Sequence, residues 1–100
     1  MILYINTKDK DLISVALKKD GKVVSTLQEN NEFGSQVLLP LITKILKEHN
    51  LEYKDLEEVE VETGPGSFTG LRVGASVANA IGLALNIKVN GKKFETDLQY

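Results

Sequence analysis

The glycine-rich stretch at residues 64–74, GPGSFTGLRVG, contains residue types that could bind an anion. It follows valines and glutamates that alternate over residues 58–62, which is the pattern of a strand, and it precedes a long apolar run. A strand, a glycine turn and a helix start bring unpaired N–H groups and the positive end of a helix dipole together. Ser67 and Thr69 are both candidate caps for this helix. The candidate anion-binding residues are therefore Gly64, Gly66, Ser67, Thr69, Gly70 and Arg72.

Two common phosphate-binding motifs do not fit this stretch. A Walker A loop ends in Gly-Lys-Ser or Gly-Lys-Thr, but Gly70 is followed by Leu71 and Arg72. A dinucleotide-binding fingerprint beginning at Gly64 would need a third glycine where Thr69 lies. Two roles therefore stay open for the turn: close packing of strand and helix, or binding of an anion.

Composition limits the class of protein. The chain has 100 residues, 12 basic and 14 acidic, with a formal charge of −2 and no cysteine. This balance gives no electrostatic reason to bind nucleic acid unaided, and disulfide and thiolate chemistry are excluded. The apolar helix, predicted over residues 71–85, contains Arg72 and Asn79 and falls short of a membrane span of ~20 residues. We therefore expect one cytoplasmic domain without a membrane segment.

Hydrophobic spacing predicts three antiparallel strands, a helix, a parallel strand, the apolar helix and a last parallel strand. The Asp20-Gly21 pair between β-branched runs indicates a hairpin turn. Ser35 is a suitable cap for the first helix, and Pro40 within that helix should cause a bend. Right-handed crossovers should place both helices on one face of the sheet. The predicted strands cover residues 1–6, 12–18, 22–28, 58–62 and 87–91, with polar turns at 7–11 and 29–32.

The stretch at residues 64–74 resembles the signature of the bacterial TsaB (YeaZ) family, the actin-like partner subunit in tRNA threonylcarbamoyladenosine synthesis. A looser similarity extends back to residue 1. The resemblance implies an α/β, ribonuclease H-like (actin-like ATPase) single lobe, with a mixed five-stranded sheet and two main helices on one face. Family members usually carry Asp-Thr-Ser where this chain has Asn6, Thr7 and Lys8, and a histidine at Gly34. They also have a second lobe, which we expect this chain to lack.

Few residues are candidates for catalysis or metal binding. Actin-like ATPases hold a metal with an acidic residue near the end of the first strand, where Asn6 offers a neutral oxygen. His49, the only histidine, is expected to interact with a helix dipole. Glu58, Glu60 and Glu62 lie ~7 Å apart along one strand face, which suits pairing with lysines better than one metal ion. We expect no cofactor in the isolated chain, with ATP or ADP only at a complex interface.

The apolar helix predicts a protein interface. Gly70, Gly74, Ala78 and Gly82 recur every four residues, and this groove could receive a partner helix or the chain's own first helix. A domain of this size has few other elements to cover an apolar helix. The resemblance agrees, because that family pairs through its first two helices with itself or with its catalytic partner TsaD. The predicted interface residues are Leu71, Gly74, Ala75, Ala78, Ile81, Gly82, Leu85, Leu38 and Ile42.

The resemblance implies a non-catalytic subunit that pairs with a TsaD-like enzyme or with itself and associates with tRNA only indirectly. Arg72 would bind a carboxylate of the partner or a nucleotide phosphate. Two alternatives stay open: a small actin-like enzyme that binds a nucleotide or phosphate, and a free-standing homodimeric adaptor outside tRNA modification. The glutamate face is expected to be solvated, as in a finished one-lobed protein, with Phe94, Leu98 and Tyr100 over part of it.

Overall fold

The computed structural model describes residues 1–30 and 36–100 and contains a five-stranded mixed sheet with two helices. Strands β1, β2 and β3 form an antiparallel meander, and β4 and β5 run parallel to β1. Across the sheet, the order of the strands is β3-β2-β1-β4-β5. The elements are β1 (Ile2–Asp9), β2 (Leu12–Lys19), β3 (Lys22–Asn30), α1 (Leu38–Glu48), β4 (Glu58–Val61), α2 (Phe68–Leu85) and β5 (Lys88–Val89).

One apolar core lies between a single face of the sheet and both helices. Leu3 and Ile5 of the central strand β1 are fully buried there. Ile42 of α1 and Ala78 of α2 belong to the same buried cluster. The prediction that both helices cover one face is therefore confirmed, because residues from both helices contact the inward side chains of the sheet.

Strand β1 continues beyond its predicted end at Asn6. Thr7, which was assigned to a turn, is only 2% exposed, and its Oγ1 donates a hydrogen bond to the carbonyl oxygen of Gly70. The alternation of buried and exposed side chains in β1 thus includes the polar Thr7, which can be buried because its hydroxyl is hydrogen-bonded to α2. The turn prediction was wrong for residues 7–9, and the turn itself consists of Lys10 and Asp11.

Helix α1 begins at Leu38, later than the sequence suggested. Pro40 therefore lies in the first helical turn, where its missing N–H removes no intrahelical hydrogen bond. The bend predicted in α1 assumed that Pro40 removes a hydrogen bond inside the helix, and this hydrogen bond is not lost. The cap assigned to Ser35 and the departure at Gly34 lie outside the described residues.

Strand β5 has two residues instead of the predicted five, because the side chain of Asn90 takes over its pairing. Asn90 has a φ of 53° and turns the chain away from the sheet. Its amide nitrogen donates to the carbonyl of Val61 (3.0 Å), and its amide oxygen accepts from the N–H of Val61 (2.8 Å). A side-chain amide thus satisfies backbone groups of β4 where the parallel ladder ends.

The opposite face of the sheet is charged, as predicted. Lys18 pairs with Glu60 at 2.8 Å, and the Lys18 ammonium lies 4.7 Å from the ring centroid of Tyr4. The Tyr4 hydroxyl donates to Glu62 at 2.9 Å. Burial first, and then this hydrogen bond and the charge of Glu62, raise the pKa of Tyr4 to about 12. The placement of Tyr100 over this face was wrong, since its ring contacts Phe68 of α2.

Candidate functional site

The glycine turn packs directly onto the end of β1. The N–H of Ser67 donates to the carbonyl oxygen of Lys8 at 2.8 Å. A Cβ on Gly66 would lie 2.7 Å from the Cβ of Lys8, and Gly64 has a φ of +107° that favours glycine. Close approach to β1 explains Gly66, and the positive φ explains Gly64, so neither glycine requires a ligand.

Ser67 is the cap of α2. Its Oγ accepts a hydrogen bond from the N–H of Gly70 at 3.2 Å. Thr69, the other candidate cap, lies inside the first helical turn and is exposed. The Ser67 prediction is confirmed and the Thr69 prediction is wrong, because the helix begins at Phe68.

The hydrogen bonds of the turn occupy donors that an anion site would need. The N–H groups of Ser67 and Gly70 are both bonded within the chain. The guanidinium of Arg72 lies 5.2 Å from the ring centroid of Phe68 and forms no ion pair among the described residues. Within residues 1–30 and 36–100, no group of three or more acidic or histidine side chains could hold a metal ion. The geometry therefore accounts for the packing role of the turn, and anion binding stays a prediction.

The small-residue stripe of α2 packs on the chain's own sheet. A Cβ on Gly70 would overlap the carbonyl oxygen of Thr7, and a Cβ on Gly74 would overlap the Thr7 hydroxyl. A Cβ on Gly82 would lie 2.6 Å from Val89. The prediction of an open groove for a partner helix is therefore wrong. Of the predicted interface residues, Leu85 is half-buried, and Leu71, Gly74, Ala75, Ala78, Ile81, Gly82, Leu38 and Ile42 are buried inside the chain.

The other side of the same helix is open to solvent. This α2 outer surface consists of Phe68, Arg72, Ser76, Ala80 and Leu83, which recur every three or four residues and are all exposed. Leu83 is 66% exposed and Phe68 is 55% exposed. A groove of about 520 Å³ runs along its first half. The helix contains no acidic residue.

Sequence reasoning missed Phe68 and Leu83 as surface residues. Both lie at helical spacing from the polar Arg72 and Ser76, but a helix with apolar residues on both sides does not reveal from hydropathy alone which side is exposed. By length and composition, α2 is the one helix in the described part of the chain that could cross a membrane. The helix predicted over residues 71–85 was too short, since α2 has 18 residues. Its small-residue side packs on the sheet, as in the core helix of a globular domain.

The meander, the crossover helix α1, the parallel strand β4 and the second crossover helix α2 define a ribonuclease H-like, actin-like lobe. A family model described as "TsaD: tRNA N6-adenosine threonylcarbamoyltransferase" matches residues 29–91. YeaZ from Pseudomonas aeruginosa superposes with a TM-score of 0.79 at 28% identity, over 88% of this chain and 41% of that chain.

Sequence relatives agree with the structural likeness. The chain is 38% identical over 92 residues to the tRNA threonylcarbamoyladenosine biosynthesis protein TsaB of Buchnera aphidicola, covering 91% of this chain and 43% of that protein. It is 46% identical over 54 residues to a tRNA N6-adenosine threonylcarbamoyltransferase of Nitrosospira multiformis, covering 54% of this chain and 16% of that enzyme. The chain belongs to the TsaB (YeaZ) family, within the wider group that the TsaD model describes, and spans less than half the length of these relatives.

Proposed function

We propose that this TsaB-like lobe is a non-catalytic subunit that acts in tRNA threonylcarbamoyladenosine biosynthesis by binding a TsaD-type enzyme through the α2 outer surface. The observation that carries the proposal is the exposure of Phe68 and Leu83 on one helical stripe. Exposed apolar residues along one stripe are typical of a surface that another protein covers. The relatives are named as proteins of tRNA threonylcarbamoyladenosine biosynthesis, and we place this lobe in the cytoplasm with that process.

Charge supports a different partner over a second copy. The α2 outer surface carries Arg72 and no carboxylate. A two-fold pairing of two such surfaces would bring like charges together, which is unfavourable. A partner with carboxylates opposite Arg72 fits better, because guanidinium groups bind carboxylates with paired hydrogen bonds.

Homology supports a TsaD-type protein as that partner. This chain matches the TsaD family model and a threonylcarbamoyltransferase, so such an enzyme contains a lobe of the same fold. Two related lobes can pair about a pseudo-two-fold axis through equivalent helices while differing in charge. ATP or ADP would then bind only at the interface of that complex, and tRNA would contact the chain indirectly.

The first experiment measures mass in solution for the chain, alone and mixed with a TsaD-type protein from the same organism. Leu83→Glu should weaken a 1:1 complex by at least ~10-fold, since it replaces the most exposed large apolar side chain of this surface with a charge. Val23→Glu is the matched control, because Val23 is 56% exposed on the distant edge strand β3. A homodimer whose mass does not change when the TsaD-type protein is added would instead favour the free-standing adaptor.

A second experiment tests the activity itself. Threonylcarbamoyladenosine formation on tRNA is measured by nucleoside mass spectrometry with a TsaD-type enzyme and the remaining components of the pathway. We expect the chain to stimulate the reaction, Leu83→Glu to reduce the stimulation, and the chain alone to be inactive. Nucleotide binding or hydrolysis by the chain alone would favour the small-enzyme alternative.

A further inference from the structure

Residues 92–100 leave the sheet after β5 and return along α2 towards its first turn. The side chain of Asn79, in the middle of α2, accepts from the N–H of Glu95 at 2.8 Å and donates to its carbonyl oxygen at 2.9 Å. An amide side chain that bonds both backbone groups of one residue holds the segment in a single register. Asn79 lies in an apolar helix, and this contact explains its presence.

Glu95 fastens the segment at this point. It is 5% exposed, and its carboxylate accepts from the Asn90 amide at 2.7 Å and from the Lys92 ammonium at 2.8 Å. Burial raises the pKa of this carboxyl, but hydrogen bonds from Lys92, Asn90 and the N–H of Asp97 outweigh burial and lower the pKa below its usual value. Glu95 is therefore ionised and paired at neutral pH.

The second half of the segment is held more weakly. The N–H of Gln99 donates to the carbonyl of Thr63 at 2.7 Å. The ring of Tyr100 lies with its centroid 4.5 Å from that of Phe68, tilted by 45°. Tyr100 remains 58% exposed, Thr96, Asp97 and Gln99 are exposed as well, and Leu98 is half-buried. Segments with few buried contacts open locally far more readily than a buried anchor such as Glu95.

We propose that residues 92–100 form a strap whose tail occupies the Phe68 end of the α2 outer surface, so that docking of the tail and binding of a partner at Phe68 exclude each other. The inference rests on the proposed use of that surface. Glu95 holds the base of the strap in both states, and the tail from Thr96 to Tyr100 detaches when the partner covers Phe68. The strap therefore lowers the affinity of the surface for its partner.

The test compares Tyr100→Ala with Tyr100→Phe in binding to the TsaD-type protein. An aromatic pair of this geometry contributes enough that its removal should tighten binding by about 2- to 10-fold. Tyr100→Phe keeps the ring and should bind as the unaltered chain does. Amide exchange of the unaltered chain gives a second readout, because the Gln99 amide should exchange faster in the complex than in the free chain.

The outcomes separate the two proposals. A complex that Tyr100→Ala weakens or leaves unchanged, or in which the Gln99 amide becomes more protected, overturns the strap while leaving the proposed function intact. If Tyr100→Ala weakens the complex, the tail is part of the interface. If the unaltered chain, Tyr100→Ala and Tyr100→Phe all fail to bind the TsaD-type protein, the proposed function is overturned, and the strap with it.

Discussion

Gly70 and Gly74 lie one helical turn apart and face the same residue of β1, Thr7. Contact between the backbone of α2 and this strand allows the Thr7 hydroxyl to reach the Gly70 carbonyl. A side chain as small as a methyl group would force the helix away from the sheet, because buried interiors have no spare volume. At the scale of single residues, steric fit to β1 explains the spacing of glycines in the signature stretch.

Gly74→Ala should destabilise the chain by about 2 kcal/mol, since its Cβ would overlap the Thr7 hydroxyl. The overlap outweighs the gain of up to ~1 kcal/mol that alanine brings to a helix interior. Urea unfolding followed by circular dichroism measures the change. Ser76→Ala, on the exposed side of the same helix, is the control and should shift stability by less than ~0.5 kcal/mol.

Tyr4 makes stability depend on alkaline pH. Its folded pKa of about 12 lies above the ordinary value of 10.0, so the folded state favours the protonated phenol. The contribution is fully present below pH 10 and is lost as the pH rises through 12. The difference in tyrosinate absorbance between the unaltered chain and Tyr4→Phe should show one group titrating near pH 12. A difference spectrum that titrates near pH 10 would contradict the contact with Glu62.

At the scale of elements, α2 has two sides with different roles. The side that carries Gly70, Gly74 and Gly82 is fitted to β1 and β5, while the side that carries Phe68 and Leu83 is open. A helix that is apolar on both sides requires contacts on two sides, and residues 1–30 and 36–100 supply one complete set, on the side that faces the sheet.

Ser67→Ala should cost about 1 kcal/mol of stability, because the Gly70 N–H loses the side-chain oxygen that caps it. Thr69→Ala is the matched control, since Thr69 lies inside the helix, is exposed and caps nothing. Thermal unfolding of the two variants measures the difference. Equal effects of the two substitutions would contradict the assignment of Ser67 as the cap of α2.

At the scale of the whole molecule, the sheet is most stable at its centre. Strand β1 pairs with β2 on one side and β4 on the other, and its inward side chains are covered by the core. The long edge strand β3 is largely exposed, and β5 has only two residues. The stability of the lobe is therefore concentrated in β1, β2, β4 and the buried sides of α1 and α2.

Native-state hydrogen exchange should follow this order. The amides of Leu3 and Ile5 should exchange only by global unfolding, because both residues are fully buried in the central strand. Amides of β3 and of residues 96–100 should exchange through local opening at lower free energy. Mass spectrometry of peptic fragments over a time course measures both groups. Equal protection of β3 and β1 would indicate that another surface covers the edge strand.

The sequence by itself determined the order of the elements and the class of fold. Alternating and helical spacing, the Asp20-Gly21 turn and the stretch at residues 64–74 are local signals, readable without long-range contacts. The resemblance carried by that stretch was confirmed by the family match and by the structural neighbour. The charged character of the glutamate face also followed from local spacing, whereas the pairing of Glu60 with Lys18 depends on the order of the strands.

Only the tertiary structure decided which side of α2 is free. Both sides are rich in apolar and small residues, so hydropathy does not distinguish the side that fits Thr7 and Val89 from the side that shows Phe68 and Leu83. The burial of Thr7 and Glu95 depends on partners that are distant in the sequence or on the path of the returning segment. Such contacts arise from three-dimensional packing, because a buried polar group is stable only where its hydrogen bonds are satisfied.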